Sequence, residues 1–166
     1  MEDFGVTCEG QLVNRVTTVK YLGIHLDEYM SGTTHALDVI RKCAGRIAFL
    51  YRNADVLNLQ CRKLLCAALI APYLDYCCSS WYSGLSSKLR NRLDVVQRRM
   101  IRFIFSMEPR SHVGTENMRE LSWLTLNDRV RYFKLQHVFK IRLGLAPGYL
   151  GYLYIAEKSI QFNLIQ

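Results

Sequence analysis

Four cations in one stretch, Lys88, Arg92, Arg99 and Arg102, recur at steps of four, seven and three, so a helix through them carries all four on one side. Arg90 and Arg98 flank that side, and Asp94 alone opposes it. Like charges at helical spacing repel by roughly a few tenths of a kcal/mol per pair, and phosphate outside the helix would relieve that repulsion. The chemistry is polyanion binding, steeply salt-dependent because each neutralised phosphate releases counterions. A solvated face, or ion pairs with carboxylates elsewhere in the fold, is the competing reading. A later run, Arg129, Arg131, Lys134, Lys140 and Arg142, repeats the theme with Tyr132 and Phe133 interleaved. Such aromatics can stack on bases. At helical spacing Phe133 is assigned to the core, and Tyr132 fits either role.

The carboxylates argue the other way. Two-metal phosphoryl transfer needs clustered acids to hold two Mg²⁺ ions about 4 Å apart, whereas the 14 acids here are dispersed. Asp75, in Tyr73-Leu74-Asp75-Tyr76, lacks an adjacent second Asp and lies in a helical run. No catalytic site, metal or cofactor is expected. His25, His35, His112 and His137 show no paired spacing, and Ser79-Ser80 lies in no G-x-S-x-G context. No glycine-rich loop follows a strand to cradle a nucleotide. The six cysteines, Cys8, Cys43, Cys61, Cys66, Cys77 and Cys78, include no C-x-x-C and no zinc spacing. Cys43, Cys61 and Cys66 sit in apolar helical patterns, where a thiol packs as a small hydrophobe. All six are expected to be reduced, which places the chain inside the cell, in nucleus or cytoplasm. Met1 is followed by Glu2 and Asp3, so no secretory signal is read. The apolar run Leu64 to Leu74 falls short of the about 20 residues that cross a bilayer, and a soluble chain without a membrane partner is expected.

Composition bounds what must position these residues. A chain of 166 residues, half of them hydrophobic, suits one domain with a sizeable core. The formal net charge of +8 and pI near 9.3 favour a polyanionic partner, nucleic acid or an anionic surface. The expected fold is mainly α: a short β-hairpin within residues 1–30, a bundle of about five helices over 31–150, and a tail over 151–166. Val13 and then Val16 to Leu26 are rich in Val, Thr, Tyr and Ile and read as β, with Asn14-Arg15 as the turn between two strands. Alternation puts Val16, Thr18, Lys20, Leu22, Ile24 and Leu26 on one side of the second run, and Gly23 suggests a bulge. A first helix, capped by Thr33 or Thr34, carries Leu37, Ile40, Cys43, Ala44, Ile47 and Leu50 inward and Arg41, Lys42 and Arg46 outward. Asn58 caps a second helix through Leu64, Leu65, Ala68 and Leu69; Pro72 kinks it or starts the next. A third, from Ser87 to Ser106, buries Leu89, Leu93, Val96, Met100 and Phe103. After a loop over Met107 to Gly114 come a short helix around Asn117 to Leu124 and a long one opened by Thr125 or Asn127. The last buries Val130, Phe133, His137 and Ile141 and stops at Gly144 and Pro147.

The order of landmarks resembles a known family. Val19-Lys20-Tyr21-Leu22-Gly23-Ile24 with Leu26-Asp27 is similar to the V-K-Y-L-G-V-x-L-D stretch of LINE-type (non-LTR) retrotransposon reverse transcriptases. Pro72-Tyr73-Leu74-Asp75-Tyr76-Cys77 with Trp81 resembles the family's P-x-L-x-Y-x…W signature, and Leu93 to Arg99 with Ile101-Arg102 its L-x-x-x-Q-x-R-x-x-R helix. Leu121-Ser122-Trp123-Leu124-Thr125-Leu126 with Arg129, then Ala146-Pro147-Gly148-Tyr149-Leu150, resemble its closing pattern. The resemblance runs from about Val16 to Leu150.

It implies the segment after the catalytic palm: a primer grip, a thumb and a post-thumb. Lys20, Tyr21, Leu22 and Gly23 would hold the primer 3′ end. The helices, through Lys88, Arg92, Arg98, Arg99, Arg102, Arg129, Arg131 and Lys134, would follow an RNA–DNA duplex by its phosphates. The F/Y-A-D-D catalytic turn, the fingers, the endonuclease and the C-terminal zinc knuckle of the family have no counterpart in the chain. The expectation is a non-catalytic, sequence-tolerant nucleic-acid binder, most simply a truncated element copy translated from Met1, with the missing palm as a further partner. A helical protein-interaction module, a non-functional remnant, and a polymerase subunit completed by a separate palm are the alternatives.

Overall fold

The computed structural model describes residues 6–152. Four short strands, β1 (Val6–Cys8), β2 (Gln11–Val13), β3 (Thr18–Tyr21) and β4 (Ile24–Asp27), precede seven helices among the described residues. These are α1 (Thr33–Arg52), α2 (Leu59–Leu69), α3 (Ala71–Asp75), α4 (Cys78–Trp81), α5 (Ser87–Ile104), α6 (Thr115–Leu121) and α7 (Leu126–Arg142). The mainly α class holds. Two helices beyond the expected five are the short α3 and α4, in the stretch that follows Pro72.

The β region is not one hairpin turning at Asn14-Arg15. It is two antiparallel pairs, β1 with β2 and β3 with β4. The run from Val16 to Leu26 is broken by a turn at Leu22 and Gly23, whose φ angles of 45° and 83° are both positive. That is the requirement of a two-residue type I′ hairpin, so Gly23 serves the turn and not a bulge. The register pairs Val19 with Leu26 and Tyr21 with Ile24, and Thr18 with Asp27 and Lys20 with His25. Lys20 therefore shares a face with His25, not with Ile24 and Leu26 as uninterrupted alternation predicts. Ile24 packs on the core; Val16, Val19, Tyr21 and Leu22 stay exposed.

Three contacts seat this second hairpin on the helices. The Tyr76 hydroxyl donates to the Leu22 carbonyl at 2.6 Å, and the His25 amide donates to His35 Nδ1 at 3.4 Å. Asp27 accepts from the Ser31 amide at 2.9 Å and from its hydroxyl at 3.0 Å, which closes the chain into α1. Gly32, not Thr33 or Thr34, caps α1; it sits at φ 70°, and a Cβ there would run into the Trp81 carbonyl. Asn58 caps α2 as expected, accepting from the Cys61 amide at 2.8 Å. Pro72 lies in the first turn of α3, where its missing N–H removes no helical bond.

The core is the seam between α1 and α5. Ala36, Val39, Cys43, Ile47 and Leu50 line α1; of the expected side Cys43, Ile47 and Leu50 are buried, Ile40 and Ala44 are half-buried and Leu37 is exposed. The expected α5 stripe, Leu89, Leu93, Val96, Met100 and Phe103, is buried throughout. Cys66, Ile70, Leu74, Trp81, Leu121, Leu126 and Val130 close around the seam. Leu64 of α2 is exposed, against expectation. Gln97, buried in α5, donates from Nε2 to the Leu124 carbonyl at 2.7 Å, so its amide is satisfied where an unpaired one would destabilise. Of the cysteines, Cys43, Cys66 and Cys78 are buried, while Cys61 is exposed, contrary to its apolar context. Burial pushes the Cys43 and Cys66 thiols up to about 12 and that of Cys78 to about 11.

His35 has a consequence for pH. It is 4% exposed, and it meets Trp81 edge-on at 5.2 Å. Burial, followed by the field of His25, holds it below its ordinary 6.5. The unfolded chain then takes up the proton first, so His35 withdraws stability as the pH falls through 6.5 and has no such effect well above it. The stability advantage of wild type over His35→Met is expected to shrink as the pH falls from neutrality to below 6.5, read by denaturant titration. An advantage constant across that range would disprove the assignment.

Candidate nucleic-acid interface

On α5 the buried stripe turns the opposite side outward. Ser86 caps the helix, accepting from the Leu89 amide at 3.4 Å. Lys88, Arg92 and Arg99 are exposed. Arg98 is half-buried and its charge acts on Asp94, whose carboxyl burial pushes up and Arg98 draws back. Arg102 has a partner within the fold. Its Nε donates to the Ser111 carbonyl at 2.9 Å, so it ties α5 to the loop beyond. None of these five cations is ion-paired to a described carboxylate.

On α7 the five expected cations divide as well. Thr125 caps the helix, its hydroxyl accepting from the Asp128 amide at 3.2 Å. Arg129 Nε lies 2.9 Å from Asp75 Oδ1, a strut between α7 and α3. Burial pushes the Asp75 carboxyl up and Arg129 opposes the shift. Asp75 is thus an ion-pair partner within the fold. Arg131, Lys134, Lys140 and Arg142 are exposed. Phe133 packs on the core while Tyr132 is half-exposed. Of the expected inward set, Val130 is buried, Phe133 and Ile141 are half-buried and His137 is exposed, while Leu135, Phe139 and Leu143 present an apolar stripe outward.

The primer-grip-like residues sit at the tip of the second hairpin. Lys20 and Gly23 line a cleft of about 320 Å³ shared with His35, Lys42, Tyr73 and Tyr76. Tyr21 and Leu22 are exposed at its edge. Asp38 also lines it, and its carboxyl is held down to about 2 by the hydrogen bond from Lys42, with Arg41 assisting against burial. The outward cations of α1, absent from the expected binding set, border a second groove of about 630 Å³ with Phe49 and Leu69. Arg46 bonds the Tyr73 hydroxyl and stacks over its ring at 4.7 Å from the centroid. Helical spacing of Arg41, Lys42 and Arg46 was the available signal for this groove.

Gly45 forms part of that groove, and a Cβ there would meet nothing within 4 Å. A glycine in a helix interior costs about 0.5–1 kcal/mol relative to alanine. Gly45→Ala is therefore expected to raise stability by about 0.5–1 kcal/mol and Tm by about 1–4 °C, read by thermal unfolding. No gain would mean that the groove is not open.

Among the described residues, no three His, Cys, Asp or Glu side chains converge as a metal site, and no helix is long and apolar enough to cross a membrane. No protein-family model matches the chain, and no solved structure does. Two curated relatives from Drosophila melanogaster are similar to it. The probable RNA-directed DNA polymerase from transposon BS is 26% identical over 129 residues, which is 75% of this chain and 14% of that protein. The RNA-directed DNA polymerase from mobile element jockey is 27% identical over 150 residues, or 89% of this chain and 16% of that protein. The chain spans 14% and 16% of these relatives' lengths, and over that span it is similar to RNA-directed DNA polymerases of mobile elements.

Proposed function

We propose that the chain is the primer-grip, thumb and post-thumb segment of such a polymerase, and that by itself it binds RNA–DNA duplex through phosphates without polymerising. The observation that carries this is the set of exposed cations on α5 and α7, Lys88, Arg92, Arg99, Arg131 and Lys134, unpaired with described carboxylates. Charges left uncompensated on a folded surface favour a polyanion, and backbone contacts position without reading sequence. The pinned Leu22-Gly23 turn, with Lys20 facing a cleft, supports a grip on a strand end. The dispersed acids support the non-catalytic reading.

A second reading has its own observation. The exposed apolar residues Leu135, Phe139 and Leu143 on α7, and Val6, Leu12 and Val13 on the first hairpin, fit protein contacts, with a polymerase palm or another chain as partner. Titrating a labelled RNA–DNA duplex at two salt concentrations separates the two. Duplex binding that weakens linearly in log–log form with salt is expected. Absence of binding, or affinity indifferent to salt, would favour the protein-interaction reading.

A further inference from the structure

A cleft of about 230 Å³ opens where the approach to α5 meets α7, lined by Tyr82, Ser83, Arg90, Asn127, Arg131 and Lys134. The charged residues of that lining are all cations, and they come from both basic helices. Their arrangement is held by the fold. Arg90 Nη2 donates to the Ser83 carbonyl at 2.7 Å, and its guanidinium lies over the Tyr82 ring at 5.5 Å from the centroid. Lys134 Nζ donates to the Ser83 hydroxyl at 2.6 Å. Because that hydroxyl accepts from Lys134, its own hydrogen is free to donate. Arg90 Nε is buried yet has no hydrogen-bond partner. A buried donor left unsatisfied destabilises the fold unless something supplies an acceptor. The carboxylate whose field reaches Tyr82 is Asp94, and Arg98 stands against it.

We propose that this cleft is a phosphate site, taking one phosphodiester of a nucleic-acid backbone between Arg90, Arg131, Lys134 and the Ser83 hydroxyl. A tetrahedral anion offers several acceptors at once, which suits two guanidinium forks, an ammonium and a hydroxyl. The inference deepens the duplex-binding reading and rests on it for the source of the phosphate. The site is an anchor where α5 and α7 meet, so one bound phosphate fixes the duplex against both helices.

Two arms test it on the full chain, with Arg131→Gln/Lys134→Gln as the variant; both side chains are exposed, and matching amide spectra confirm its fold. In the first arm, inorganic phosphate is titrated while the Arg90 Nε–H and Ser83 amide resonances are followed. Saturable shifts are expected in the wild type and lost in the variant. In the second, duplex affinity is measured against salt, and the variant's slope is expected to fall by about 0.9, the one phosphate that the site holds. Phosphate shifts that do not saturate, or that persist unchanged in the variant, overturn the site. Duplex binding with an unaltered salt slope in the variant overturns it too, and leaves the broader reading standing. Saturable phosphate binding in a chain that binds no duplex sinks the duplex reading instead and identifies free phosphate as the ligand.

Discussion

Replacing Arg62 with alanine is expected to lower the unfolding free energy by about 3 kcal/mol and Tm by about 10 °C. The side chain stitches three segments together. Its Nε donates to the Leu57 carbonyl at 2.9 Å and its Nη2 to the Ala54 carbonyl at 2.8 Å, both in the short connection between α1 and α2. Its Nη1 donates to the Phe103 carbonyl at 3.2 Å and to the Ser106 hydroxyl, at the far end of α5. The guanidinium also lies over the Phe103 ring at 5.4 Å from the centroid. A cation among the last carbonyls of a helix is favoured by the macrodipole. Alanine leaves these acceptors without their donor, in a place where water replaces it incompletely. Lysine would restore the charge but not the fork, so Arg62→Lys is expected to recover less than half of the loss. Urea titration of the three proteins checks this. A loss under about 1 kcal/mol for Arg62→Ala would mean that the connection and α5 hold without the bridge.

How much was legible follows from what periodicity reports. The α5 stripe and the caps at Asn58 and Thr125 are local signals, set within a few residues, and the fold keeps them. The two hairpins depend on a positive φ at Leu22 and at Glu9 ahead of a glycine. Neither residue type advertises that conformation, so the strand pattern alone ran through the turn. On α7 the expected stripe holds except at His137, and a second apolar side went unread. Spacing marks a side as apolar but does not supply a neighbour, and past Val130 the described helices leave Leu135 and Phe139 uncovered.

Tertiary partners of the candidate cations are not legible in sequence. Nothing near Arg102 in sequence announces the Ser111 carbonyl, and nothing near Arg129 announces Asp75, fifty-four positions away. Conversely Arg90, read as a flank, turns inward to the cleft beside α7. Much of the reverse-transcriptase-like pattern is architectural here: Leu74, Trp81, Gln97, Leu121 and Leu126 are buried, and Tyr76 pins the hairpin. Similarity in such residues speaks for a shared fold more than for a shared contact with nucleic acid.

That distinction sets the design of the decisive variant. Reversing Arg92, Arg99 and Arg102 together would confound binding with folding, because losing the Arg102–Ser111 bond loosens the end of α5. Lys88→Glu/Arg92→Glu/Arg99→Glu avoids this, since all three side chains are exposed and lie on one side of the helix. Surface changes of this kind shift stability by about 0.5 kcal/mol each at most, so near-unchanged unfolding is expected. Duplex affinity is expected to fall by about 100-fold or more at 0.1 M salt, because three phosphate contacts are lost and three repulsions added. The salt slope should become shallower by about 2.7, about 0.9 for each contact. A fall in affinity with no change in slope would trace to altered folding, not to phosphate. Equal affinity for wild type and variant would move the duplex off α5, leaving the cations of α1 and α7 to carry it.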